Sequence, residues 1–247
     1  MLHPAGQPPR VFGWTRLQRW PKPETCLALL KRPAMTPETA SRKAAEICRL
    51  AAVVPVLVID DAARAFGLAQ ALVAGGLRAL EVTLRTPAAL DAIREMTKVA
   101  GGVVGAGTLL TPADVHAAID AGAVFGVSPG ATDRLLDACE EAGLPLLPGA
   151  ATASEAMALL ERGYTTQKFF PAEANGGAAA LKAIGGPIPQ VKFCPTGGVT
   201  LKNARDYLSL SNTLCVGGSW VAPAAMVAAE DWAGIEALAR EAAALGA

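Results

Sequence analysis

Short apolar runs alternate with longer helical patterns from about residue 50 to the end of the chain. Runs rich in β-branched residues predict buried strands, and the stretches rich in Ala, Leu and Glu that follow them predict helices. The predicted strands are Val53–Ile59, Ala79–Leu84, Val103–Gly107, Phe125–Ser128, Leu144–Pro148, Thr166–Phe170, Gln190–Pro195 and Leu214–Gly217. The predicted helices are Ala62–Ala74, Ala88–Lys98, Pro112–Ala121, Thr132–Ala142, Ala153–Arg162, Gly177–Ile184, Leu201–Ser209 and Trp232–Leu245.

Eight strand–helix units with a period of roughly 20 residues predict an α/β fold, a (β/α)8 TIM barrel. An open, doubly wound sheet is the alternative, and it would favour a glycine-rich dinucleotide turn after the first strand. The first strand is instead followed by Asp60-Asp61-Ala62. Two carboxylates at this point would repel a pyrophosphate and are better suited to capping a helix.

The segment 1–34 differs in composition from the rest of the chain. It contains six prolines, and six basic residues against one acidic residue. Because it has no helical or strand periodicity, we predict a disordered N-terminal extension. We expect residues 35–247 to form a single domain and Met35 to be the natural start, since Thr36-Pro37-Glu38 provides an N-cap and a proline at the first helical position.

Composition and charge exclude several classes of function. The formal net charge is zero, which gives no reason to expect a nucleic-acid partner, and no apolar run is long enough for a membrane span or a signal peptide. With only two histidines, His3 and His116, we expect neither a Ser-His-Asp triad nor a histidine-rich metal site. The five cysteines are scattered and form no CxxC motif, which favours reduced thiols in a cytoplasmic protein.

Lys168 lies inside a predicted strand, where an ammonium group is unusual. Because strand residues alternate between two faces, Lys168 shares its face with Thr166 and Phe170. Burial disfavours the charged form of a lysine, and a neutral amine is a nucleophile. The segment alone fits equally well a lysine that extends from a strand end into solvent.

The second predicted strand also carries charged residues on one face. Leu80, Val82 and Leu84 form the face that packs under the helices, which leaves Glu81, Thr83 and Arg85 for the inside of a barrel. Four residues of strand span about 13 Å, too far for a direct Glu81–Arg85 contact. Glu81 therefore needs a partner from another strand, and Lys168 is the candidate.

Small and hydroxyl-bearing residues follow three further strands. They are Gly105-Ala106-Gly107-Thr108, Cys194-Pro195-Thr196-Gly197-Gly198 and Gly217-Gly218-Ser219. The active site of a barrel lies at the carboxyl ends of its strands, and glycines after the last two strands suit a phosphate site in which backbone N–H groups face the anion. Ordinary loop glycines are the alternative for each segment taken alone.

These motifs resemble the class I KDPG/KHG aldolases, which act on 2-keto-3-deoxy-6-phosphogluconate and 4-hydroxy-2-oxoglutarate. The resemblance runs in order from about Val53 to the C-terminus, and residues 1–34 have no counterpart in it. The segments that carry it are Leu80–Thr86, Val104–Thr108, Ser128–Gly130, Lys168–Gly177, Phe193–Gly198 and Gly217–Trp220.

The resemblance implies a (β/α)8 barrel that assembles as a homotrimer and needs no cofactor and no metal ion. It implies Lys168 as the Schiff-base lysine and Glu81 as the general acid/base. Eight further residues would bind the substrate: Arg85 and Thr108 at its carboxylate, Pro129 and Phe170 along the pocket, and Gly197, Gly198 and Ser219, with Thr196 nearby, at its phosphate.

The implied reaction belongs to the Entner–Doudoroff pathway of carbohydrate metabolism. Lys168 would attack the C2 ketone of a phosphorylated keto acid, and Glu81 would remove the C4 hydroxyl proton as the C3–C4 bond breaks. The products would be pyruvate and D-glyceraldehyde 3-phosphate. Cleavage of 4-hydroxy-2-oxoglutarate to pyruvate and glyoxylate would be a second activity.

Three alternatives remain open at this point. The substrate could be the galactonate epimer, because glycines and a serine near the phosphate do not fix the stereochemistry at C4. The barrel could belong to a phosphosugar isomerase, although an inward lysine with no second evident base disfavours this. It could also bind ligands without catalysis, which the presence of both Lys168 and Glu81 disfavours.

Overall fold

Parallel strands, most of them followed by a helix, form the core of the computed structural model, which describes residues 32–246. Residues 1–31 of the expected extension lie outside the described residues. The strands are β1 (Val53–Leu57), β2 (Ala79–Thr83), β3 (Val103–Gly107), β4 (Phe125–Val127), β5 (Leu146–Leu147), β6 (Gly149–Ala150), β7 (Thr166–Phe169), β8 (Lys192–Pro195) and β9 (Val216–Gly218). The predicted α/β class is confirmed.

The predicted helices are present in the predicted order, and the short helix Ala224–Ala228, which was not predicted, precedes the last of them. They are α1 (Pro37–Cys48), α2 (Ala65–Ala74), α3 (Ala89–Met96), α4 (Pro112–Asp120), α5 (Asp133–Glu141), α6 (Ala153–Arg162), α7 (Gly177–Gly185), α8 (Ala204–Leu208), α9 (Ala224–Ala228) and α10 (Trp232–Ala243), with short 3₁₀ turns at Ala62–Arg64 and Ala244–Gly246. The start of α1 is confirmed, since Thr36 caps it and accepts from the Thr39 N–H. None of the helices described is long and apolar enough to cross a membrane.

Two sheets contain all of these strands. One has the order β5-β4-β3-β2-β1-β9, and the other has the order β6-β7-β8. Isolated parallel bridges at Phe193–Thr213 and Thr196–Gly217 connect β8 with the segment around β9. The parallel strands place all their carboxyl ends on one side of the fold, where the polar residues were predicted to meet.

Two differences from the predicted elements have local causes. The predicted strand Leu144–Pro148 is observed as the shorter β5, and β6 lies beyond the predicted bounds, after Pro148, which has no N–H to donate to a ladder. The predicted helix Leu201–Ser209 is shortened to α8, because the Asn203 side chain accepts from the Thr200 N–H and holds the preceding residues in a turn.

A small cluster of buried apolar residues packs between the strands and helix α1. Its members are Ala44, Cys48, Val54, Ala79, Phe125, Val127, Leu147, Cys194 and Cys215. Helix α1 contributes Ala44 and Cys48, and its buried Ser41 hydroxyl accepts from the N–H groups of Thr165 and Thr166 at the start of β7. Because α1 covers the amino ends, the opposite, carboxyl ends remain available for a functional site.

Candidate active site

Lys168 of β7 and Glu81 of β2 form a buried ion pair inside the curved sheet. The distance between Lys168 Nζ and Glu81 Oε1 is 3.3 Å, and the two residues are 4% and 3% exposed. Their neighbours in sequence, such as Leu80 and Phe169, pack in the outer core under the helices. The predicted contact between these two strands is therefore confirmed, and Lys168 does not extend into solvent.

Gly107 of β3 provides the space that the Glu81 carboxylate occupies. A Cβ atom at residue 107 would lie 2.2 Å from Glu81 Oε1 and 2.7 Å from its Cγ. Any side chain at this position would displace the carboxylate from Lys168. The sequence placed Gly107 at a strand end but did not reveal this role, because nothing in the local pattern shows which side chain crosses from β2.

The environment of Glu81 changes its proton affinity. Burial raises the pKa of the Glu81 carboxyl, and the neighbouring Lys168 ammonium offsets only part of this effect. A carboxyl group with a raised pKa can accept and return a proton nearer to neutral pH than an exposed glutamate can. Lys168 Nζ also lies 5.2 Å from the centroid of the Phe170 ring, so an aromatic face covers the amine.

Arg85 and Thr108 meet where β2 and β3 end. Arg85 Nε donates to Thr108 Oγ1 at 3.2 Å, and the guanidinium is exposed, so it remains accessible to a ligand. Thr108 has a φ of 63°, a left-handed conformation that costs energy for a residue with a Cβ and is often found at functional sites. The Thr86 hydroxyl donates to the Ile59 carbonyl and fixes this loop to the end of β1.

Pro129 and Phe170 lie near the same end of the sheet. A Cβ atom at Gly149 would lie 2.3 Å from the Pro129 carbonyl, so the loop after β4 passes directly over β6. Gly149 is the partner of Lys168 in the β6–β7 register. Pro129 is therefore placed one strand away from Lys168, and Phe170 directly follows β7.

The Gly197-Gly198 turn after β8 has a left-handed backbone that protein donors hold in place. Both glycines have positive φ, 99° and 79°. Three successive carbonyls are held by protein donors: Thr196 O by the Ala172 N–H at 2.8 Å, Gly197 O by the Glu173 N–H at 3.0 Å, and Gly198 O by Asn203 Nδ2 at 3.2 Å. Because the N–H of a trans peptide points away from its C=O, the N–H groups of Gly197 and Gly198 face away from Ala172 and Glu173.

Ser219 follows β9, the strand beside β8, and its side chain is exposed. It lines a cavity of about 370 Å³ that extends towards the end of β1 at Val58 and Asp60. Thr196 is 5% exposed, and its hydroxyl occupies the space that a Cβ atom at Gly217 would need, at 2.2 Å. The predicted residues of the two final strands are thus adjacent.

The ring of Phe170 links the ion pair to the glycine turn. The ring lies 5.2 Å from Lys168 Nζ, and a Cβ atom at Gly197 would be 3.3 Å from two of its carbon atoms. A ligand of several carbon atoms could therefore reach the Lys168 amine and the turn at the same time. Within residues 32–246, no group of three or more His, Cys, Asp or Glu side chains could hold a metal ion.

Comparisons with known proteins point to one group of enzymes. A family model for KDPG and KHG aldolases matches residues 44–238. The KHG/KDPG aldolase of Escherichia coli K12 is 53% identical over 191 residues, which cover 77% of this chain and 90% of that protein.

Two solved structures also resemble this chain closely. The Zymomonas mobilis 2-keto-3-deoxy-6-phosphogluconate aldolase with 3-phosphoglycerate is 51% identical, with a TM-score of 0.80, over 83% of this chain and 97% of that one. The Legionella pneumophila KDPG aldolase, with pyruvate captured as a covalent carbinolamine intermediate, is 46% identical, with a TM-score of 0.78, over 81% of this chain and 97% of that one.

Proposed function

Because the chain belongs to the KDPG and KHG aldolase family, we propose that it is a class I aldolase that cleaves 2-dehydro-3-deoxy-6-phosphogluconate to pyruvate and D-glyceraldehyde 3-phosphate. The observation that carries this proposal is the buried Lys168–Glu81 pair, 3.3 Å apart, inside the curved sheet. The same site would also cleave 4-hydroxy-2-oxoglutarate to pyruvate and glyoxylate. The main reaction is a step of the Entner–Doudoroff pathway.

The reaction begins at the Lys168 amine. Glu81 takes a proton from the Lys168 ammonium across the 3.3 Å contact, and the neutral amine attacks the C2 ketone of the substrate. The resulting carbinolamine loses its hydroxyl as water when Glu81 returns a proton. The product is a protonated imine at C2, which can accept the electron pair of the C3–C4 bond.

Bond cleavage then needs a base at C4. Glu81 removes the C4 hydroxyl proton, the C3–C4 bond breaks, and its electron pair moves into the imine to form an enamine. The aldehyde formed at C4 leaves as glyceraldehyde 3-phosphate. Protonation of the enamine at C3 and hydrolysis of the imine release pyruvate and restore Lys168, so the reaction consumes no cofactor.

The rest of the site holds the two ends of the substrate. The exposed Arg85 guanidinium, fixed through Thr108, suits the carboxylate beside the reacting ketone, because its planar fork can donate to both oxygens. The N–H groups of the Gly197-Gly198 turn and the Ser219 hydroxyl suit the phosphate at the far end. Pro129, Phe170 and Thr196 line the space between these two ends.

A cleavage assay with three substrates tests this function. Pyruvate release would be measured with 2-dehydro-3-deoxy-6-phosphogluconate, its galactonate epimer and 4-hydroxy-2-oxoglutarate. We expect the highest kcat/KM with the phosphogluconate, since the glycine turn can bind its phosphate. A higher kcat/KM with the galactonate epimer would identify the epimer as the substrate, and no pyruvate from any of the three would refute the proposal.

We also propose that the eight strand–helix units close into a complete (β/α)8 barrel. The Lys168 N–H donates to the Pro148 carbonyl at 2.8 Å, which supports treating β5 and β6 as one strand interrupted at proline. The bridge between Thr196 and Gly217 supports closure between β8 and β9. An experimental structure with a gap at either place would contradict closure.

We further infer a homotrimer in the cytoplasm. The resemblance to the family supports the trimer. The free, buried thiols at Cys48, Cys139, Cys194 and Cys215 support a reducing compartment. The small-molecule substrate proposed above gives no reason to expect a membrane or a nucleic acid as partner.

Deleting residues 1–34 is expected to leave the activity and the trimeric mass unchanged, because we propose that residues 35–247 are the complete catalytic domain. Residues from Arg32 onward form one compact unit, which supports this boundary. The deletion removes the hydrogen bond from Arg32 Nη2 to the Ala123 carbonyl at 3.0 Å and the packing of Arg32 and Pro33 against Gly143. Losing such a hydrogen bond costs about 1 kcal/mol, so its loss alone should lower the Tm by about 2–4 °C.

Cleavage rates, thermal melting and light scattering of the full and shortened chains would check this. A chain that begins at Arg32 is the matched control, since it keeps the contact with Ala123. A change of mass, or a large loss of activity in both shortened chains, would assign a structural role to the segment before residue 32.

A further inference from the structure

The Gly197-Gly198 turn rests on the side chain of Glu173. A Cβ atom at Gly198 would lie 2.6 Å from Glu173 Cγ and 2.7 Å from its Cβ, so the aliphatic part of Glu173 fills the space beside this glycine. The Glu173 N–H donates to the Gly197 carbonyl at 3.0 Å. One residue therefore fixes the turn through both its backbone and its side chain.

Tyr207 of α8 holds the Glu173 carboxylate. The tyrosine is fully buried, and its O–H donates to Glu173 Oε1. Burial and the adjacent carboxylate both raise the pKa of Tyr207, so its hydroxyl remains a donor at neutral pH. The same carboxylate oxygen lies near the start of α7, where a Cβ atom at Gly177 would be 3.4 Å away.

The residue that precedes α8 completes this support. Asn203 Nδ2 donates to the Gly198 carbonyl at 3.2 Å, and its Oδ1 accepts from the Thr200 N–H at 2.7 Å. The turn is thus held by Glu173 on one side and by Asn203 on the other. Both supports depend on the position of α8, which carries Tyr207.

We propose that Glu173 and Tyr207 are positioning residues that hold the Gly197-Gly198 turn in its anion-binding form and so set the affinity for the phosphorylated end of the substrate. This inference rests on the proposed function for the identity of that substrate. Neither side chain is assigned a contact with the reacting atoms.

The hydrogen bond from Tyr207 to Glu173 has a second consequence, because Glu173 is an acid beside the proposed phosphate site. While Tyr207 holds it, the carboxylate lies at the start of α7, where the positive end of the helix dipole favours it. Without the tyrosine hydroxyl, the carboxylate loses this donor and remains a negative charge beside the glycine turn, where it repels phosphate. A glutamine at residue 173 keeps the shape of the side chain and removes this repulsion.

The experiment compares Tyr207→Phe, Glu173→Gln and the double variant with the wild type. For Tyr207→Phe we expect the KM for 2-dehydro-3-deoxy-6-phosphogluconate to rise by about tenfold, the effect of one lost charge-assisted hydrogen bond. The KM for 4-hydroxy-2-oxoglutarate, which carries no phosphate, should change by less than about twofold. Adding Glu173→Gln to Tyr207→Phe should restore part of the loss.

Tyr164→Phe is the matched control. Tyr164 is also fully buried, and its hydroxyl donates to Glu140 Oε1 at 3.1 Å, in a tyrosine–glutamate pair that does not touch the glycine turn. This variant should lower the Tm by a similar amount and leave both KM values unchanged. Equal KM changes on the two substrates in Tyr207→Phe, or no recovery in the double variant, would overturn the proposal.

A second measurement does not depend on cleavage. Inorganic phosphate should raise the Tm of the wild type, because a ligand that binds the folded state stabilises it. Tyr207→Phe and Ser219→Ala should need about tenfold more phosphate for the same increase, and Tyr164→Phe should not. If the wild type cleaves none of the substrates, the proposed function fails, and the phosphate titrations still decide this inference. A wild-type Tm unaffected by phosphate, or an undiminished response in Tyr207→Phe, would overturn it.

Discussion

Replacing Lys168 with methionine is expected to abolish both aldol cleavage and the covalent adduct with pyruvate. Methionine has a similar length and fits a site that is 4% exposed, but it has no amine to form an imine. Removing the nucleophile of a covalent mechanism lowers turnover by on the order of 10⁴-fold or more. The fold should survive, because an apolar side chain replaces a buried ammonium, although Glu81 loses its partner.

Trapping with borohydride provides the measurement. Incubation of the wild type with pyruvate and borohydride should reduce the imine and add one three-carbon unit, which peptide mapping should place on Lys168. Lys192 is a suitable control, because its Nζ donates to the Ser211 carbonyl at 3.0 Å in an exposed position. Lys192→Met should keep the adduct and the activity. An adduct on Lys192 or on Lys182 would refute the assignment of Lys168.

The pairing of Lys168 with Glu81 could be predicted because both residues interrupt strong strand patterns. Side chains alternate along a strand, so the apolar face formed by Leu80, Val82 and Leu84 indicated that Glu81 faces the interior. The segment around Lys168 alone left a solvent-exposed lysine equally possible, and the need of Glu81 for a partner favoured the buried position. A buried charge needs a partner, and each of the two was the partner available to the other. This argument needs only local periodicity and the rule that parallel strands end on the same side.

The contacts that hold the site residues in position could not be predicted in the same way. The space that Gly107 leaves for Glu81, and the contact of Glu173 with Tyr207, join segments that are far apart in the sequence. Such contacts depend on the final packing of helices and strands, which propensity and periodicity do not specify. The short helix α9 was missed for a related reason, since five residues give too weak a helical pattern.

Replacing Glu81 with glutamine is expected to reduce kcat by on the order of 10²-fold or more, with the fold intact. Glutamine keeps the size of the side chain and can still accept a hydrogen bond from Lys168, but it cannot take up a proton. Both the formation of the imine and the cleavage of the C3–C4 bond should slow. Single-turnover trapping with pyruvate would measure the first step, and pyruvate release would measure the whole cycle.

The pH dependence of kcat/KM gives a second signature of Glu81. Only the ionised carboxylate can act as the base, so the activity should fall as the pH falls through the pKa of Glu81. Because burial raises that pKa, this acid limb should lie above the usual range of a glutamate, about 4.3. The limb should disappear from the residual activity of Glu81→Gln. An unchanged acid limb in this variant would assign the proton transfer to another group.

Gly107→Ala tests the same carboxylate without changing it. The added Cβ would lie 2.2 Å from Glu81 Oε1, so the carboxylate must move away from Lys168, and we expect a loss of kcat on the order of that in Glu81→Gln. Gly105→Ala is the matched control in the same strand, because the atoms nearest to its Cβ would be those of the Phe125 ring, at 2.5 Å, and not those of Glu81. Both variants overpack the interior, so the free energy of unfolding should fall by about 1–3 kcal/mol and the Tm should fall with it. If Gly105→Ala lost as much activity as Gly107→Ala, the effect would be one of packing, and the position of the Glu81 carboxylate would not be what limits the reaction.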